Sequence, residues 1–193
     1  DTACAQLAQW ATDPARQDLQ ISVNVSARQF HQSDFVERVR RSLAASGANP
    51  ARLMLELTES IVIDRVDEVI DRMEQLNVVG VKFSLDDFGT GYSSLSCLKR
   101  LPLDEVKIDR SFVRDLVDDS NDAAIVQAIL AMSHSLGLRV VAEGVETLAQ
   151  RDFLLTRGCE TFQGYLFSKP APIAQWAGSG HSRGVARVSP LEA

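Results

Sequence analysis

Apolar positions along this chain recur with two periods, and the two periods alternate. Short stretches that are β-branched-rich, or apolar at every second residue, read as strands. They are Leu19–Ser26, Leu53–Thr58, Val81–Asp87, Glu105–Asp109, Arg139–Glu143 and a sixth centred on Thr161–Gln163. Between them the spacing turns helical. Ser33 caps a helix with Phe35, Val36, Val39 and Leu43 on one face and Gly47 at its end, and Asp64–Asn77 carries Val66, Val69, Ile70, Met73 and Leu76. Ile125, Val126, Ile129, Leu130 and Met132 predict a helix over Ser120–Leu136, while Thr147 and Gln150 form a capping box for one that ends at Gly158. A shorter helix is expected over Ser93–Lys99, and Asp1–Ala11 reads as a helix with Leu7 and Trp10 apolar.

Strand–helix repetition implies parallel strands with crossover helices, hence an α/β barrel or a doubly wound sheet. Strand parity separates the two. Leu19, Ile21, Val23 and Val25 share one face, as do Leu53, Leu55 and Leu57, and Val81, Phe83 and Leu85. The opposite faces hold Ser22 and Asn24, Glu56 and Thr58, and Ser84 and Asp86. A doubly wound sheet is covered by helices on both faces and is more often apolar on both. One polar face favours a barrel interior. A (β/α)8 barrel needs eight strands in about 250 residues, against six strands in 193 residues here. The expectation is a TIM-like barrel with about two N-terminal strands missing. The domain is expected over residues 1–177, and Gly178–Ala193, Gly/Ser-rich and unpatterned, is expected to be a disordered tail.

Composition narrows the chemistry. Twenty Lys+Arg against 26 Asp+Glu give a formal charge of −6. With no Lys/Arg cluster, DNA or RNA polymers and anionic membrane surfaces are poor partners. No apolar stretch approaches the roughly 18 residues of a membrane span. Cys4, Cys97 and Cys159 are odd in number and lack metal-ligand spacing, so they read as reduced thiols of a cytoplasmic protein.

Barrel chemistry sits at the carboxyl ends of the strands. Those ends read Asn24, Glu56, Asp86 with Asp87, Lys107 with Asp109, Glu143, and Gln163. One acid after a strand is usually a helix cap or a surface charge, and one lysine usually snorkels to solvent. Recurrence at six strand ends is what points to a site. Hard oxygen donors without Cys or His suit Mg²⁺ or Mn²⁺, and converging carboxylates need cations or protons to coexist. Two ions about 3.5–4 Å apart are a common arrangement for phosphodiester cleavage. Lys107 would be the lone cation among the acids. Gly89 and Gly91, in Asp86–Ser94, permit a tight or mobile loop over the site, and Gly144 a sharp turn before Glu146.

Several motifs resemble one family. DDFGTGYSSL (86–95), LPLDEVKIDRSFV (101–113), VVAEGVET (140–147) and QGYLFSKP (163–170), with SVNVSARQF (22–30) and LELTES (55–60), are similar to those of EAL domains. The resemblance runs from about Asp1 to Trp176. It implies a bacterial TIM-like barrel that hydrolyses cyclic di-GMP to linear pGpG with Mg²⁺ or Mn²⁺, by in-line attack of an activated water. Carried over by motif, Asn24, Glu56, Asp86, Asp87 and Glu143 would be metal ligands, with Lys107 and Asp87 serving the attacking water. Gln163 would touch the water network or the substrate. Glu59 would anchor the 86–94 loop, and Glu146 would be a supporting acid. Members often work as homodimers contacting near that loop, flanked by sensory or GGDEF-type domains, in cytoplasmic or membrane-anchored proteins.

The signature Glu-Ala-Leu tripeptide is absent from this chain. In the family its glutamate is a metal ligand, and a neighbouring arginine contacts a substrate phosphate. Weak activity at best is expected of this chain by itself. A receptor that binds cyclic di-GMP without cleaving it is the competing reading. A lyase with Lys107 as Schiff-base nucleophile is disfavoured, because neighbouring acids keep that amine charged.

Overall fold

In the computed structural model, residues 1–63, 65–91, 95–173 and 186–187 are described. The order is α1 (Thr2–Trp10), β1 (Ile21–Asn24), α2 (Ala27–Phe30), α3 (Phe35–Ser46), a 3-10 turn at Pro50–Arg52, β2 (Leu53–Thr58), α4 (Glu59–Ile63) and α5 (Val66–Asn77). Then follow β3 (Lys82–Phe88), α6 (Leu95–Leu98), β4 (Glu105–Ile108), α7 (Arg110–Arg114), α8 (Ser120–Ser135), β5 (Arg139–Glu143), α9 (Leu148–Leu155), β6 (Thr161–Gln163) and β7 (Ala186–Arg187). All six expected strands form, and they pair in parallel in sequence order from β1 to β6, with β7 beside β1.

The parity argument holds in three dimensions. Ile21, Leu53, Leu55, Leu57, Val81, Phe83, Leu85, Val106, Ile108, Val140 and Ala142 join one apolar core. Helix residues that close this core include Leu7, Trp10, Leu43, Val69, Met73, Leu76, Val126, Leu130 and Leu154. The opposite, inner face carries the polar set, and the curved sheet turns it into a half-barrel. Helix on one side and polar interior on the other is the layering of a (β/α) barrel.

Several ends differ from expectation. The helix expected from Ser33 starts at Phe35 after Asp34, which makes no side-chain cap. Ser26 and Gln29 instead form a capping box on α2, a short helix the apolar spacing did not signal. The helix expected over Asp64–Asn77 forms as α5 from Val66, with Arg65 in the left-handed region at φ 56° before it, and α4 precedes it as a short helix that was not expected. The helix start expected at Ser93 and the domain end expected at 177 lie outside the described residues. So does the expected tail, apart from Ala186–Arg187, which form β7. No helix among the described residues is long and apolar enough to cross a membrane.

Candidate metal and phosphodiester site

The site rests on one irregularity. Strands β3 and β4 pair Ser84 with Glu105 and Leu85 with Val106, but then Phe88 with Ile108. One extra residue therefore lies in β3 between Leu85 and Phe88, a β-bulge. Asp87 absorbs it at φ 55°, in the left-handed region that Asp tolerates better than most residues. The bulge returns Phe88 to the apolar side, where it is buried. Asp86 and Asp87, which strict alternation would point to opposite faces, both reach the inner one. Carboxylate oxygens of Asp86, Asp87 and Glu143 lie within 4.8 Å of one another.

Lys107 stands at the centre of this face with only 1% of its side chain exposed. Its Nζ lies 2.9 Å from Asp86 Oδ1 and 3.3 Å from Glu56 Oε2, and it pairs with Glu143 Oε1. It is therefore a buried hub, not a snorkelling lysine. With its side-chain nitrogen facing them, Asn24 donates to Glu56 Oε2 at 3.0 Å and Asp86 Oδ2 at 3.2 Å. One cation facing Glu56, Asp86, Asp87 and Glu143 leaves three net negative charges. At an effective dielectric of about 20, each pair of unit charges about 4 Å apart interacts by about 4 kcal/mol. Such an excess draws in cations.

The flanking residues set the electrostatics. Burial pushes the Asp87 carboxyl above its ordinary value, and the negative charges of Asp86 and Asp109 push it further. Burial opposes charge on Asp109 as well, but hydrogen bonds from Ser111 and Arg110 outweigh it and hold that carboxyl low. Asp109 caps α7 by accepting from the Ser111 N–H at 2.9 Å. Asp86, Asp87, Thr90, Asp109, Arg110 and Glu143 line an open cavity of about 490 Å³ above the ring.

Loop contacts account for the motif glycines. Buried Glu59 accepts from the Gly89 N–H at 2.8 Å through Oε1. A Cβ on Gly91 would stand 2.2 Å from Glu59 Oε2, so this loop and this carboxylate meet at a distance only glycine allows. Gly144 makes the expected turn at φ 69°. Gln163 ends β6 opposite Glu143, and its carbonyl accepts from the Val145 N–H at 3.0 Å. Gly164 brings the next residues against Val145, whose carbonyl accepts from Leu166 N–H at 3.1 Å.

Most of the residues expected at the strand ends thus meet in one place: Asn24, Glu56, Asp86, Asp87, Lys107 and Glu143, with Asp109 and Gln163 at the rim. Glu146 does not join them. Its side chain is exposed, and its N–H donates to Gln150 Oε1 at 2.8 Å. Sequence reasoning missed Glu105, buried on the inner face two residues before Lys107 and 3.4 Å from Arg139. Its signal was available, since Glu105 and Lys107 share strand parity. Burial raises the Glu105 carboxyl above its ordinary value, while Arg139 pulls the other way.

Comparison with known proteins identifies the family of this fold. The chain is 49% identical, over 91% of its length, to the bifunctional diguanylate cyclase/cyclic di-GMP phosphodiesterase MucR of Pseudomonas aeruginosa. It spans about a quarter of that relative's length. The solved PaMucR phosphodiesterase in complex with c-di-GMP superposes with a TM-score of 0.86 at 48% identity, covering 90% of this chain and 70% of that one. A manganese/cyclic di-GMP complex of BlrP1 from Klebsiella pneumoniae gives a TM-score of 0.78 at 37% identity, covering 88% of this chain and 42% of that one. The EAL domain family matches residues 1–170, and the chain belongs to it.

Proposed function

We propose that this chain is the greater part of a metal-dependent phosphodiesterase centre that opens cyclic di-GMP to linear pGpG. The observation that carries the reading is the convergence of Asn24, Glu56, Asp86, Asp87 and Glu143 around buried Lys107. The donor set is all oxygen, which fits Mg²⁺ or Mn²⁺ and not zinc. Similarity to proteins named as cyclic di-GMP phosphodiesterases, and to solved complexes with that nucleotide, supports the substrate.

Asn24, Glu56, Asp86, Asp87 and Glu143 would hold the cations, in our reading a pair of them. When bound, such ions polarise the phosphodiester and lower the pKa of water at the site. Lys107 Nζ, fixed by its carboxylate partners, orients the attacking water and offers positive charge to the developing oxyanion. Asp87, beside Asp86 and Glu143, would serve the second cation and its water. Gln163 would position the water network or the nucleotide. Glu59 holds the 86–91 loop over the cavity through Gly89.

The test is incubation of cyclic di-GMP with the protein and Mn²⁺, followed by chromatography of the products. Linear dinucleotide that forms only with the divalent ion, and is lost in Glu56→Gln and Asp86→Asn, supports the proposal. Tight binding with the nucleotide left intact, in this chain and in a longer protein containing it, would make the domain a receptor. Weak turnover is expected of the 193-residue chain, since it lacks the Glu-Ala-Leu tripeptide.

A further inference from the structure

The wall of the cavity above the ring holds one cation among its acids. Asp86, Asp87, Asp109 and Glu143 line it together with Thr90 and Arg110. Three of the acids already have partners. Asp86 and Glu143 pair with Lys107 below, and Asp109 accepts from the Ser111 N–H. The Arg110 guanidinium is uncommitted: among the described residues it forms no ion pair and no hydrogen bond, and the residue is exposed. Its stem, by contrast, is seated. Gly144, at φ 69°, follows Glu143 in the turn after β5, and a Cβ there would stand 2.6 Å from Arg110 Cβ. Only glycine lets that turn press so closely on the first residue of α7. Arg110 is therefore placed beside a ring residue by its stem and keeps its head for something else.

We propose that Arg110 binds the phosphate of cyclic di-GMP that is not cut. The inference rests on the phosphodiesterase reading above. That substrate carries two phosphodiesters, each with one negative charge. Lys107 and the cations of the ring would serve the one being cut. The other lies in the same cavity, where the remaining lining charges are carboxylates that repel it and Arg110 is the cation left to receive it. A guanidinium suits the task, because its planar fork can donate to two phosphate oxygens at once. A contact with a group that takes no part in the reaction is equally strong in the bound substrate and in the transition state. It lowers KM and leaves kcat alone.

The test compares the parent with Arg110→Ala and Arg110→Lys, in the 193-residue chain and in a longer protein containing it. Cyclic di-GMP binding and turnover are measured with Mn²⁺, and Mn²⁺ affinity by titration calorimetry without nucleotide. Arg110→Ala is expected to raise both the Kd for the nucleotide and KM by about tenfold or more, the loss of a charge-assisted hydrogen bond, with kcat within about twofold. Arg110→Lys is expected to recover part of the affinity, since the charge remains while the fork is lost. Mn²⁺ affinity is expected not to weaken in either variant, which reports that the ring is intact. Unchanged Kd and KM in Arg110→Ala, a fall in kcat at constant KM, no recovery in Arg110→Lys, or weakened Mn²⁺ binding would each overturn the proposal. A parent that binds Mn²⁺ but no cyclic di-GMP, in either form of the protein, would overturn the phosphodiesterase reading itself and this contact with it.

Discussion

Replacing Lys107 by methionine tests whether the ring is held by one buried cation. The substitution keeps much of the side chain's volume and removes its charge. Lys107 is 1% exposed, with Asp86, Glu56 and Glu143 all in contact with Nζ. Without it, three carboxylates face one another with no counter-charge. Breaking a buried ion pair by removing one partner costs about 3–5 kcal/mol, and here one amine serves three acids, so the upper half of that range is expected. Domains of this size are typically stable by about 5–15 kcal/mol, so the variant should fold, with a much lower urea midpoint in chelator. Mn²⁺ should recover more stability in the variant than in the parent, because the cation then enters without competing against the amine. The assay is urea unfolding of both proteins, with EDTA and with saturating Mn²⁺. A loss below about 1 kcal/mol in EDTA, the value for an exposed ion pair, would refute the reasoning, as would equal Mn²⁺ gains in the two proteins.

Three further outcomes are expected. In Gly164→Ala the new Cβ would lie 2.1 Å from the Val145 carbonyl oxygen and 2.4 Å from its nitrogen, both backbone. Relief must move the 143–145 and 163–166 segments, at about 1–3 kcal/mol or more by chemical denaturation; an unchanged urea midpoint contradicts the contact. Gln150→Ala removes the acceptor for the Glu146 and Thr147 N–H groups and the donor to the Arg114 carbonyl. It should cost about 2–4 kcal/mol, read from the same unfolding curves. For Glu105 the folded carboxyl lies above its unfolded value because burial disfavours the charge, so the folded state binds the extra proton. Its contribution then lowers stability as pH rises from about 4.3, the unfolded value, through the folded value. Glu105→Gln should flatten the part of the stability profile that falls as pH rises above about 4.3. Arg139, half-exposed at 52%, loses little when its partner is gone. A profile that stays parallel to the parent's would contradict this assignment.

Strand identity and parity were legible because they follow from local apolar period, and the six strands carry it cleanly. The rim was legible for the same reason: a polar residue at the end of each strand needs only a parallel sheet to meet the others. What the sequence could not disclose was the bulge in β3. Two adjacent aspartates look like residues for opposite faces, and only the pairing with β4 reveals that Phe88 is one position out of phase. Gln150 was readable as half of a capping box, but its tether to Arg114 joins α9 to α7 and depends on tertiary packing. Glu146 followed its motif neighbours into the expected site, yet the turn after Gly144 leaves its side chain in solvent. The β7 pairing was hidden because a two-residue strand carries no periodic signal.

The central claim is that the inner-face carboxylates form a divalent-cation site. Titration calorimetry with Mn²⁺ on the 193-residue chain and on Asp86→Asn tests it most directly. Binding in the parent, weakened about tenfold or more in the variant, equivalent to about 1.4 kcal/mol, is the expected result. No Mn²⁺ binding in the parent, or equal affinity in the two proteins, would contradict it.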